Sequence, residues 1–138
     1  MKRLIRLTSR ALGDPVRVRV YVYDDPTHMR RDAAAFNGDA LNLDQEVQGV
    51  THAWTDDDGR AALVTVRLHR GHLDLETVVH EMHHASTALY GATLPDQVNP
   101  REVLSHVNEP AAYLHGQLVS RLVARLFALG YLPDPFED

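Results

Sequence analysis

Hydrophobic and polar residues alternate most strictly over Val16–Tyr23, VRVRVYVY, with four valines on one face and Arg17, Arg19, Tyr21 and Tyr23 on the other. A period of two is that of a strand with one face buried. Asp24-Asp25-Pro26 ends the run, and Thr27 stands where it can cap a short helix over 28–36, closed by Asn37-Gly38. Further strands are expected over 47–55 and 61–69, the latter with Val64, Val66 and Leu68 on one face. Between them Asp56-Asp57-Asp58-Gly59 reads as a tight hairpin turn rather than a calcium loop, because the other ligand positions of such a loop are missing.

From Asp74 onward the period changes to that of helices. Asp74 caps a helix expected over 75–89 and stopped by Gly91, with a loop to Val98 containing Pro95. Asn99-Pro100-Arg101-Glu102 combines a capping Asn, Pro at the first helical position and Glu three residues after the cap. A long helix is expected from there to about Leu129, kinked near Pro110 and ended by Gly130. Trp54 and the stripe Leu114, Leu118, Leu122 and Phe127 are assigned to the core. Strands first and helices last, with no repeat or linker, predict a single α+β domain over 1–138.

Composition narrows the function. The chain has no cysteine, so disulfides, thiolate metal sites and cysteine nucleophiles are excluded. A net charge of −5 and a pI near 5.9 argue against a general binder of nucleic acid or anionic membranes. Eight of the 14 basic residues fall within 1–31, whereas 32–58 holds seven acids and no Lys or Arg. Because these arginines alternate with valines, they read as a solvated sheet face. The basic start has no continuous apolar run behind it and does not read as a signal peptide. The apolar tract 111–130 carries His115, Gln117, Arg121 and Arg125, which no lipid-facing span tolerates. A cytoplasmic protein is expected.

Histidine is the anomaly, with 9 in 138 residues. Three of them lie in His80-Glu81-Met82-His83-His84, which fits His-Glu-x-x-His. On a helix, residues four apart stand one turn above each other, so His80 and His84 can present ring nitrogens to one ion. Neutral imidazoles suit zinc. Zinc lowers the pKa of a bound water, and a carboxylate placed as Glu81 is can accept that proton while the water attacks a carbonyl. His83 points about 100° away from its neighbours and reads as a surface residue or one that supports a ligand, not as a ligand itself. A hydrolytic zinc has three protein ligands and one open position. The candidates downstream are Asp96, Glu102, His106, Glu109 and His115.

Asn108-Glu109-Pro110-Ala111-Ala112-Tyr113, which starts 24 residues after His84, matches three positions of the second motif of the gluzincins, Asn-Glu-x-x-(small)-Asp, at Asn108, Glu109 and Ala112. In residues 60–130 the chain resembles that zinc peptidase family, and in size the compact single-domain peptidase-like proteins of phage and prophage regions. The resemblance implies a minimal zincin-like domain in which His80, His84 and Glu109 hold Zn2+ and Glu81 is the general base. Tyr113 stands where thermolysin-like enzymes carry Asp, one turn beyond Glu109, and is our candidate oxyanion donor. The resemblance further implies that the strand before the motif helix, 61–69, is the edge that aligns an extended substrate. The function expected is therefore a zinc-dependent metallopeptidase acting on a peptide or protein substrate. The alternative is a non-catalytic, zinc-stabilised protein-interaction module of the same fold, whose fourth coordination position would be closed by a residue such as His106 or His115. A metal-free relative is the third possibility.

Overall fold

A computed structural model of the chain describes residues 1–37, 48–55, 61–94 and 109–133. The chain is α+β, with a four-stranded mixed sheet and, among the described residues, three α-helices. In order these are β1 (Lys2–Ser9), β2 (Val16–Tyr23), α1 (Pro26–Asn37), β3 (Gly49–Thr55), β4 (Ala61–His69), a 3-10 turn (Arg70–His72), α2 (Leu75–Thr93) and α3 (Glu109–Ala128). Strand order in the sheet is β1-β2-β4-β3. β1 pairs antiparallel with β2, β2 parallel with β4, and β4 antiparallel with β3.

One sheet face carries the main core. Ile5 and Leu7 of β1, Val18, Val20 and Val22 of β2, and Val64, Val66 and Leu68 of β4 are buried there. α2 lies across β3 and β4, α3 lies over β1, and the two helices pack on each other. α2 contributes Val78, Met82, Ala85 and Leu89, and α3 contributes Leu114, Leu118, Leu122 and Leu126 at every fourth position. Leu126 takes the place expected for Phe127, which is 43% exposed. One residue is about 100° of helix, enough to move a side chain from core to rim. The Trp54 side chain lies outside what is described.

The other face is covered in part by α1. Its N-cap is Asp25 rather than Thr27: the Asp25 carboxylate accepts from Thr27 N at 2.9 Å, and Pro26 fills the first helical position, where no N–H is needed. Met29, Ala33 and Ala34 are buried against the sheet. Tyr23 is buried as well, on the face expected to be solvated, and donates its phenol to Asp32 at 2.7 Å. Burial and that bond push the Tyr23 phenol above its ordinary range. Burial acts on Asp32 in the raising direction, but hydrogen bonds from Lys2, at 2.8 Å, and Tyr23 outweigh it and leave the carboxyl below its usual value.

Two expectations change for β4 and β1. β4 is an inner strand, not the edge: Thr65, Arg67 and His69 are buried on one face and Val64, Val66 and Leu68 on the other. Its alternation resembles a half-exposed strand because α1 and the neighbouring strands cover the polar face as well. Among the described residues the edge next to α2 is β3. β1 was unassigned from sequence, yet Ile5, Leu7 and Ser9 alternate inward along it.

Helix ends follow local chemistry. Asp74 caps α2 through Thr77 N at 2.7 Å, as expected, but the helix runs past Gly91 to Thr93. Pro110 lies in the first described turn of α3; the residues before Glu109, and with them the expected kink, lie outside the described residues. Gly130, at φ +80°, ends α3; Tyr131 N bonds Leu126 O at 2.8 Å and Gly130 N bonds Phe127 O at 3.0 Å. The turn at 56–59 and the helix start at 99–102 lie outside the described residues. No described helix is long and apolar enough to cross a membrane.

Leu118 is fully buried between α2, α3 and the sheet, so Leu118→Ala is expected to cost roughly 2–5 kcal/mol in urea unfolding. His52 lies on the α1 side of β3 with Nδ1 3.1 Å from Arg67 Nη1. Burial, then the Arg67 charge, lowers its pKa below the ordinary 6.5. The folded state therefore binds fewer protons than the unfolded chain, and His52 favours folding fully only above that ordinary value. Between about pH 7.5 and 5.5 unfolding free energy is expected to fall, by less in His52→Asn.

Candidate metal centre

The centre is built on the outer face of α2. With Val78, Met82, Ala85 and Leu89 fixing the inward stripe, the helical period sends His80 and His84 outward. Their rings meet edge to face, with centroids 4.8 Å apart and planes at 79°. The two Nε2 atoms are 3.2 Å apart. Two nitrogens at that separation, each 2.0–2.1 Å from a common ion, subtend an angle of about 100–106°, close to the tetrahedral value. At 3.2 Å one Nε2–H can donate to the other ring's Nε2; with both protons on Nδ1 instead, both Nε2 lone pairs would face a shared ion. The imidazole pair therefore fits a zinc ion.

Glu81 turns the other way. Its position, 100° around the helix from His80, sends it toward β3, where it is only 4% exposed. Oε2 accepts a hydrogen bond from Thr51 Oγ1 at 2.5 Å, and Oε1 lies 4.0 Å from His80 Nε2. A buried carboxylate is costly unless hydrogen-bonded, and Thr51 supplies that bond. The approach of α2 to β3 is close because Gly49 has no side chain: a Cβ there would stand 2.9 Å from Glu81 Cγ and 3.1 Å from Leu68 Cδ2. Thr51 and Gly49 share the core-facing side of β3, opposite Val66 and Leu68. Neither was singled out from the sequence. Thr51 lies 30 residues from Glu81 in an ordinary strand pattern, with no local signal of the contact.

The opposite flank of α2 faces α3. His115 donates from Nε2 to the Val79 carbonyl at 3.4 Å, and its ring lies 5.8 Å from that of His83. His83 thus stacks toward α3 and takes no part in the Nε2 pair, as its position on the helix predicted. His80 and His84 occupy the surface between the two flanks, with Glu81 on one side and the α3 contacts on the other.

The remaining predicted residues lie as follows. Glu109 and Tyr113 are exposed in the first turns of α3, Tyr113 at 63%. Among the described residues no set of three His, Asp or Glu side chains comes together to hold an ion, so Glu109 is not gathered with His80 and His84. His115 is engaged with Val79. Asp96, Glu102 and His106 lie outside the described residues.

Comparison with known proteins brings no further constraint: no family model, no curated protein and no solved structure matches the chain.

Proposed function

We propose that the protein is a zinc-dependent metallopeptidase. The observation that carries the reading is the spacing of the two imidazole nitrogens, 3.2 Å, beside a buried carboxylate on the same helix. His80 and His84 would hold the ion; Glu109 of α3, the third ligand that the resemblance to gluzincins implies, is not gathered with them among the described residues. When bound, zinc would polarise the scissile carbonyl and acidify a water.

The chain's own groups then divide the work. Glu81 accepts the proton at Oε1, the oxygen on the side of the imidazoles, and can return it to the leaving amine. Its side chain is buried against β3 and held there by Thr51 at the other oxygen. Tyr113, expected as the oxyanion donor, lies beside Gln117 and Arg121 on the β1 flank of α3, whereas His115 is the α3 residue that faces α2, so Tyr113 is not given that role. The substrate is an extended peptide segment pairing with β3, the strand that ends the sheet on the side of Glu81. This role passes from β4, which is flanked on both sides, to β3.

Metal-stripped protein is expected to gain thermal stability on zinc addition, and His84→Ala to lose that gain. A quenched-fluorescence pool of mixed peptides reads hydrolysis. Glu81→Gln should keep the zinc-dependent stabilisation and lose about 10²–10⁴-fold in rate. Full activity in Glu81→Gln would refute its assignment as base. A zinc-stabilised chain that cleaves no peptide would point instead to the interaction module.

A further inference from the structure

We infer that Thr51 of β3 is a positioning residue that orients the Glu81 carboxylate for proton transfer, with Gly49 providing the space this orientation requires. The inference rests on the peptidase reading, in which Glu81 is the base. The fold treats the two carboxylate oxygens differently. Oε2 is held by Thr51 Oγ1 at 2.5 Å, and Oε1 is the oxygen near the imidazole pair, 4.0 Å from His80 Nε2. A hydroxyl has one proton to give. The short contact to Oε2 takes it, leaving the 3.3 Å approach to the Glu81 carbonyl as a secondary contact. Oε2 is thereby fixed, and Oε1 keeps its lone pairs.

The tether decides between two fates for a carboxylate next to two imidazoles. Released, Glu81 has the side-chain freedom to turn toward the cation site and act as a ligand. Tied to the strand, it stays beside that site as a base. Gly49 enforces the same choice sterically. A methyl group there would press on Glu81 Cγ at 2.9 Å and Cδ at 3.2 Å, atoms in the buried middle of the side chain. Positions two apart on one strand point to the same face, so Gly49 and Thr51 form one cradle.

Thr51→Val removes the hydroxyl at nearly constant volume, and Thr51→Ser keeps it. With zinc-loaded protein and the best-cleaved peptide of the fluorogenic pool, Thr51→Val should lower kcat about 10- to 100-fold with KM nearly unchanged. Thr51→Ser should recover most of that loss, which a merely structural role of the strand would not explain. A second readout needs no turnover. In cobalt-exchanged protein the released carboxylate of Thr51→Val joins the ion, so the visible bands weaken and shift, while Thr51→Ser matches wild type. Gly49→Ala should follow Thr51→Val in both measurements. A Thr51→Val protein with wild-type kcat and a wild-type cobalt spectrum would overturn the inference and leave the peptidase reading standing. If the wild-type chain binds cobalt but cleaves nothing, the peptidase reading falls, and the spectra alone decide whether Thr51 holds the carboxylate.

Discussion

The contact between Glu81 and β3 ties the candidate site to the fold. A carboxylate at 4% exposure is tolerable only with a hydrogen-bond donor at hand, and Thr51 provides one at 2.5 Å. The donor belongs to another element, so the contact also sets how closely α2 approaches the sheet. Gly49 completes the fit, since any side chain there would push the helix or the carboxylate away. Packing and site geometry at this junction are one constraint.

The rest of α2 distributes its faces around that junction. Val78, Met82, Ala85 and Leu89 form the inward stripe, buried with the four α3 leucines and the β-strand valines. Glu81 marks the β3 flank and Val79 the α3 flank, where His115 reaches its carbonyl. His80 and His84 fall between, on the surface, where a ligand can reach them. The helical period places the imidazole pair outward with the same rotation that buries the core stripe.

On the far side of the sheet the constraint is charge. Arg6 and Arg19 stand directly opposite each other on β1 and β2, an arrangement unfavourable unless solvent screens it. Both are exposed, and α1 is instead fastened to the part of that face where Asp32 accepts from Lys2 and Tyr23. This division explains why α1 covers one part of a face that reads as uniformly polar.

The strands β2 and β4, the caps at Asp74 and Gly130, the leucine stripe and the His80–His84 pair were all legible in the amino-acid order. Each depends on residues within a turn or a strand repeat of one another, and local periodicity records such relations. Phe127 was misplaced because a one-residue error in helical phase is enough to exchange core for rim. The inner position of β4, the burial of Tyr23 and the cradle of Gly49 and Thr51 were decided by tertiary structure alone. They arise where segments distant in the chain meet, and a polar side chain buried against a donor 30 residues away has the same local pattern as one in water.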